Sequence, residues 1–304
     1  MKYEIRQTNH FTYEGSVSHS INQFRLKPIE DHEQKCLSFD VTIDPEATCY
    51  IHNDYWGNHV ETFYIWESHD KLMIETHSVV EVCKKQIPPS PSFNEEMLQM
   101  FDSDAFKQEY AEFLVQTDYT TIDQAKIEAV TDKIWEQSKD PHDFVNRVNT
   151  YLYETFTYVP GATTVETKAE EVLNNEEGVC QDYTHVMLAL CRHRGIPARY
   201  VSGYIYVDEN SAMRGDAATH AWVEIALPNI GWVGFDPTNN VIAKDQHIRL
   251  AVGRDYQDIV PVKGIYIGGK QHLQVGVSVK KIDPPNESGS SQDLYFVRKN
   301  KELP

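Results

Sequence analysis

Apolar and polar positions alternate with a period of two through the first part of the chain, shift to helical spacing in the middle, and then alternate again. The runs Tyr3-Glu4-Ile5-Arg6-Gln7-Thr8, Cys36-Leu37-Ser38-Phe39-Asp40-Val41-Thr42-Ile43, Val60-Glu61-Thr62-Phe63-Tyr64-Ile65 and Lys71-Leu72-Met73-Ile74-Glu75-Thr76 are rich in β-branched and aromatic residues. Their alternation predicts half-buried strands, with Asp44-Pro45 and Trp56-Gly57-Asn58 as breaks. Residues 1–87 are therefore expected to form an all-β sandwich. Ile87-Pro88-Pro89-Ser90-Pro91-Ser92 cannot extend a ladder, because each proline lacks a donor and fixes φ, and it reads as a linker.

Helical spacing then predicts helices from Asp104 to about Gln116 and from Asp123 to about Ser138. Asp140-Pro141, a capping residue followed by a proline suited to the first helical turn, predicts a third helix to about Tyr153. A short helix is expected around Lys168-Ala169-Glu170-Glu171-Val172-Leu173. From Cys180 the positions Tyr183, Met187, Leu190 and Cys191 keep helical spacing until Gly195-Ile196-Pro197 stops it. Strands are expected at 199–207, 218–226, 231–235 and 273–280. Residues 93–285 thus read as helices followed by an antiparallel sheet, which makes the chain α+β. The polar run Glu287-Ser288-Gly289-Ser290-Ser291-Gln292 suggests that residues 286–304 are a mobile tail or carry a terminal strand at Leu294-Tyr295-Phe296-Val297.

Composition narrows the function classes. The 304 residues are 40% hydrophobic with a net charge of -18, which suits a globular protein and repels nucleic acid and anionic membranes. Neither partner is expected. No apolar run approaches the roughly 18 residues of a membrane span, and the start lacks the apolar stretch of a signal peptide, so a cytoplasmic location is expected. Cys36, Cys49, Cys83, Cys180 and Cys191 form no closely spaced pair, and they read as free thiols rather than a disulfide framework.

Three segments carry candidate chemistry. In Gly178-Val179-Cys180-Gln181-Asp182 a cysteine opens a helix, where unpaired N–H groups and partial positive charge stabilise a thiolate. Gly178 lets the chain turn into the helix with no side chain across the approach of substrate. Thr219-His220-Ala221-Trp222 and Gly234-Phe235-Asp236-Pro237-Thr238 lie on consecutive strands, with His220 and Asp236 symmetric about Pro228. A hairpin closed there makes them cross-strand neighbours with Cβ atoms about 4.5–5.5 Å apart, within reach of an imidazole–carboxylate hydrogen bond. A register slip of two would keep both on one face.

Taken singly, Cys180 is equally well a small core residue and His220 a structural histidine. Together, Cys180, His220 and Asp236 read as nucleophile, base and orienter. Trp222 alternates onto the face of His220, as a substrate-binding cleft wall or as core. Asp182 reads as a first-turn helix stabiliser. Cys, His and Asp also bind zinc, but His185, His193 and Asp182 share no helix face, so neither a metal nor a cofactor is expected.

The run from Gly178 to His185, continuing through Cys191-Arg192-His193-Arg194-Gly195-Ile196-Pro197-Ala198-Arg199-Tyr200-Val201-Ser202-Gly203-Tyr204, resembles the central motif of the bacterial transglutaminase-like superfamily. Thr219-His220-Ala221-Trp222-Val223-Glu224 and Trp232-Val233-Gly234-Phe235-Asp236-Pro237-Thr238 are similar to its second and third motifs. Phe24-Arg25-Leu26-Lys27-Pro28 and Asp54-Tyr55-Trp56-Gly57-Asn58 resemble the β-rich N-terminal region that accompanies this core in many bacterial members. The resemblance implies a papain-like core with Cys180 as nucleophile, His220 as general base and acid, and Asp236 as orienter. Members of the family include cross-linking enzymes, peptide hydrolases, amidases and proteins of no known activity.

The expected function is acyl transfer on peptide or glutamine-type amides, in a peptide or protein substrate, through a thioester on Cys180. Hydrolysis by a protease or amidase is favoured over protein-glutamine gamma-glutamyltransferase cross-linking, since water outnumbers any amine unless the site is shielded. The alternative of another class is a non-catalytic peptide-binding module. The backbone N–H of Cys180 is expected to face the oxyanion, and no upstream side chain presents a second donor.

Overall fold

The alternating N-terminal stretch folds into β1 (Lys2–Phe24), β2 (Gln34–Asp44), β3 (Tyr50–Asn53), β4 (His59–Ile65) and β5 (His69–Val82). This computed structural model describes residues 1–83, 93–207, 214 and 219–282, with the backbone of 296–297 and 301–302. The expected linker at 87–92 and most of the expected tail lie outside the described residues. Along β1, Tyr3, Ile5, Phe11 and Tyr13 are buried at alternate positions, as period-two patterning requires. Gly15 and His19 take positive φ, and the ladder changes partner there. The first half of β1 pairs with β5, while Ser20–Phe24 pair with β4. Phe11, Phe24, Phe63, Leu72 and Ile74 form the apolar core of this unit.

The middle of the chain supplies α1 (Glu95–Asp102), α2 (Asp104–Glu109), α3 (Gln124–Trp135), α4 (Pro141–Thr155), β6 (Thr157–Tyr158), α5 (Ala169–Asn175), β7 (Glu177–Gly178) and α6 (Cys180–His193). Asp123 and Asp140 cap α3 and α4 with their side chains, and Pro141 occupies the first turn of α4. The helix expected to reach Gln116 ends at Glu109 and gives way to a 3-10 turn at Ala111–Phe113. That departure lets Tyr110 and Phe113 both pack edge-on against Trp232, with ring centroids 5.4 and 5.2 Å away. The helix α1, capped by Asn94, was not expected.

The strands β8 (Ala198–Ile205), β9 (Thr219–Leu227), β10 (Gly231–Asp236), β11 (Val241–Ile242) and β12 (His247–Gly253) form a five-stranded sheet in the order β11-β10-β9-β8-β12. The helix α6 packs on it, burying Val186, Met187 and Leu190 in one core with Tyr200, Val223 and Ile225.

The last strands are β13 (Val262–Ile267), β14 (Gln271–Ile282), β15 (Phe296–Val297) and β16 (Lys301–Glu302). Residues 273–280 were expected to join the sheet of the second unit; instead β14 pairs with β1 from Lys2 to Tyr13, and β13 pairs with the end of β1. The C-terminal strands thus complete the N-terminal β unit. Alternation shows that a strand has a buried face, and it carries no information about which open edge the strand will join.

The β unit is fastened to the five-stranded sheet at its β12 edge. The Gln34 amide donates to Arg249 O at 2.9 Å and accepts from Arg249 N at 2.8 Å. The Asn58 amide does the same with Val252, at 2.8 Å both ways. Two side-chain amides therefore stand where another strand would pair, which closes an otherwise open edge. Tyr204 Oη also donates to Gln7 Oε1 at 2.7 Å. Among the described residues no helix is long and apolar enough to cross a membrane.

Candidate active site

Cys180 is the first residue of α6, behind an extended Val179 at the N-cap position. Valine has no capping oxygen, so the first turn is capped in reverse. The Val179 N–H donates to Asp182 Oδ2 at 2.7 Å, and Thr163 Oγ1 donates to the same oxygen at 2.6 Å. Asp182 is fully buried. A Cβ at Gly178 would lie 2.6 Å from Asp182 Oδ2, so this glycine makes room for the capping carboxylate, a reason the sequence alone did not reveal. Parallel pairing of β6 with β7, continued by Val159 N–H to Gly178 O at 3.0 Å, holds the approach to Cys180. The N–H groups of Cys180 and Gln181, at the first two helical positions, have no intrahelical acceptor. Cys180 itself is half-buried.

The hairpin carrying His220 and Asp236 pairs Leu227 with Gly231 and Phe235 with Val223. Its centre is Asn229, with φ at 61°, rather than Pro228. The register has slipped by two from the symmetric arrangement, and parity is kept. The two residues are diagonal neighbours on one face, and His220 Nε2 lies 2.8 Å from Asp236 Oδ2. With Nε2 committed to the carboxylate, Nδ1 is the nitrogen left to interact with Cys180, whose thiol contributes to the raised His220 pKa.

Burial by itself would depress the His220 pKa. The charge and hydrogen bond of Asp236, followed by the hydrogen bond and charge of Cys180, outweigh it and push the value up to about 10. Burial also works against the Asp236 charge, yet His220 and then His247 hold its carboxyl far below the usual carboxylate range. The opposite charges of His220 and Asp236, held in contact with little solvent, favour both ionised forms, and His247 adds a hydrogen bond.

Three further partners of Asp236 were absent from the sequence reading. Asn239 Nδ2 donates to Oδ2 at 2.8 Å, and the N–H groups of Thr238 and Asn239 reach Oδ1 at 3.1 and 3.3 Å. His247 Nε2 lies 3.1 Å from Oδ2. Asn239 follows the Asp-Pro-Thr segment closely enough for its role to be guessed. Nothing in the pattern marks His247: β9 and β8 separate its strand β12 from Asp236 on β10 in the sheet order, and only the folded sheet brings the two side chains together.

Trp222 is fully buried, which corrects the expectation of a cleft wall. Its indole fills space left by two glycines. A Cβ at Gly203 would come within 2.6 Å of Trp222 Cη2, and one at Gly234 within 3.4 Å of Trp222 Nε1. The ring packs behind the histidines, with centroids 6.2 Å from His220 and 5.2 Å from His247. Glu224, next along this face, accepts from Arg199 Nε and Nη2 at 2.9 and 2.6 Å, and Arg199 lies over the Trp232 ring at 4.0 Å. His185 is core: its Nε2 accepts from Tyr256 N–H, its ring lies between Tyr119 and Tyr200, and burial followed by Arg192 pushes its pKa down to about 3.

The ligand atoms of His220, Asp236 and His247 lie within 4.8 Å of one another, the spacing of a metal site. The donor set fits one poorly. The Lys244 N–H faces His247 Nδ1 at 3.3 Å, so that nitrogen must offer its lone pair and the ring proton sits on Nε2, where a metal would have to bind.

The Transglutaminase-like superfamily model matches residues 128–237, and that of the Bacterial transglutaminase-like N-terminal region matches residues 3–81. The chain is 32% identical over 275 residues to an uncharacterized protein of Mycobacterium leprae, spanning 90% of this chain and 96% of that one. It is 30% identical over 136 residues to a Pseudomonas aeruginosa protein-glutamine gamma-glutamyltransferase, a match that spans 42% of this chain and 20% of that protein. A crystal structure from Cytophaga hutchinsonii, named as that of a candidate cysteine protease, shares the fold with a TM-score of 0.71 at 18% identity, covering 97% of this chain and 96% of that one. With both family models in order and a relative matched along nearly its whole length, this chain belongs to the transglutaminase-like superfamily, in the form that carries the bacterial transglutaminase-like N-terminal region.

Proposed function

We propose that this protein is a cysteine-dependent acyl-transfer enzyme acting on peptide or glutamine-type amides. The observation that carries the reading is the buried His220 Nε2–Asp236 Oδ2 hydrogen bond, which leaves Nδ1 of His220 for the Cys180 thiol at the start of α6. In this reading Nδ1 of His220 takes the thiol proton, and the thiolate attacks the amide carbonyl carbon. The Cys180 N–H donates to the developing oxyanion. The imidazolium returns its Nδ1 proton to the departing amine, leaving a thioester on Cys180. A water that gives its proton to Nδ1 then attacks the thioester, releasing the acid and restoring the thiol.

Hydrolysis is favoured because Cys180 is only half-buried, and an unshielded thioester meets water far more often than an amine. The second reading, amine transfer, is favoured by the Pseudomonas aeruginosa gamma-glutamyltransferase among the relatives. A glutaminyl peptide supplied together with a primary amine separates the two: free acid alone supports hydrolysis, and an amine conjugate supports cross-linking. Cys180→Ala is expected to fold and lose all turnover. Wild-type rates in that variant would overturn the proposal.

A further inference from the structure

We propose that His247 is a positioning residue of this site: a histidine kept neutral, whose Nε2–H shares Asp236 Oδ2 with His220 and so sets how strongly the carboxylate draws on His220. The inference rests on the reading of Cys180, His220 and Asp236 given above and adds a residue that none of the three motifs contains.

Two imidazoles meet one carboxylate oxygen, His220 Nε2 at 2.8 Å and His247 Nε2 at 3.1 Å. Their outer nitrogens differ. Nδ1 of His247 receives the Lys244 N–H at 3.3 Å, and the His247 N–H returns to Lys244 O at 2.9 Å, closing the turn in both directions. A second proton on that ring would have to sit on Nδ1, against an N–H already pointing at it. Nδ1 of His220 has its partner nitrogen on Asp236 and is left for the Cys180 thiol instead. Only His220 can therefore take the thiol proton, and His247 remains a neutral donor while its neighbour titrates.

Among the described residues, the following groups face the cluster. Cys180 faces the pair from α6, His220 from β9 and Asp236 from β10, and Trp222 packs against both rings. Beyond Trp222 the same face carries Glu224 and Arg249, 3.8 Å apart, and these are engaged with Arg199 and Asp31. Asp236 does not depend on His247 for its orientation, since the Thr238 and Asn239 N–H groups and the Asn239 amide hold both oxygens. Removing the His247 donor should therefore leave the carboxylate in place and return its full pull to His220. The imidazolium would then persist to higher pH, and the thiolate paired with it would form at lower pH. The part of a hydrogen bond to the carboxylate that is passed on to His220 when His247 is removed corresponds to about half a unit to one unit at each limb.

The test is the alkylation rate of Cys180 by iodoacetamide as a function of pH in the full-length protein, read by mass spectrometry of the Cys180 peptide. The wild type is compared with His247→Leu and His247→Gln. Both limbs of the His247→Leu profile are expected to move outward by about half a unit to one unit. His247→Gln, whose amide can donate to the same oxygen, is expected to keep the wild-type limbs. A His247→Leu profile that differs only in amplitude, or one whose limbs move inward, overturns the proposal. Should His247→Leu fail to fold, nitrogen-15 spectra of the wild type decide it. They are expected to show His247 protonated on Nε2 and not titrating while His220 does, and a proton on Nδ1 refutes the assignment. If Cys180 reacts no faster than Cys36 at any pH, the enzyme reading fails, and the nitrogen-15 measurement still judges His247.

Discussion

Replacing Gly178 with alanine tests whether the buried carboxylate of Asp182 sets the position of Cys180. The φ of Gly178 lies outside the left-handed region, so alanine brings no backbone strain and any effect is steric. The new Cβ would stand 2.6 Å from Oδ2, 2.7 Å from Cβ and 2.9 Å from Cγ of Asp182, roughly 1 Å inside the optimal separation of nonbonded heavy atoms. The carboxylate is not free to yield, because it is fully buried and its Oδ2 accepts from Val179 N–H and Thr163 Oγ1. Breaking both bonds to the charged group would cost about 1.5–3 kcal/mol each. Shifting β7 and the first turn of α6 is an overpacking response of about 1–3 kcal/mol, and this cheaper route sets the expected loss. Thermal denaturation should then fall by about 2–4 °C for each kcal/mol lost. Because Cys180 moves with that turn, turnover should drop on the order of 100-fold, as small misplacements of a reacting atom do. Combined with Asp182→Gly, which removes all three obstructing atoms, the two stability losses should be less than additive. A Gly178→Ala protein with wild-type Tm and wild-type turnover refutes the reasoning.

Asp236→Asn must keep an oxygen toward the Thr238 and Asn239 N–H groups, which turns its NH2 toward His220; the ring then accepts through Nε2, carries its proton on Nδ1 and cannot take the thiol proton. Turnover should fall by about 10⁴-fold with a residual rate, and a loss under tenfold would count against the assigned tautomer. The depressed Asp236 pKa stabilises the fold above about pH 4 and loses that effect as pH falls, whereas the raised His220 pKa stabilises it below about pH 6.5 and loses that effect as pH rises toward 10. The Tm difference between wild type and Asp236→Asn should thus be largest between these limits and shrink on both sides; a difference independent of pH contradicts the coupling. Gln34→Ala and Asn58→Ala each strip two hydrogen bonds from the β12 edge and should each cost about 1–3 kcal/mol in urea denaturation. Unchanged midpoints would show that the edge is held by packing alone.

Much of the site was legible because its signals are local. Asp140-Pro141 marked the start of α4 and Gly195-Ile196-Pro197 the end of α6, since capping and helix breaking act within a turn. Pairing parity placed His220 and Asp236 on one face even though the hairpin closed one residue later than symmetry suggested. A slip of two leaves every side chain on its own side, so alternation constrains parity and leaves register open.

The sequence by itself determined the α+β class, Cys180 at a helix start, and a histidine and an aspartate on one face of a hairpin. Tertiary structure alone decided that β13 and β14 return to β1, that Gly178 yields its space to Asp182, that Trp222 is core, and that His247 shares the carboxylate of Asp236. The division has one physical cause. Periodicity and capping are set by neighbours along the chain, whereas edge choice, steric room and shared hydrogen bonds depend on atoms that only folding brings into contact.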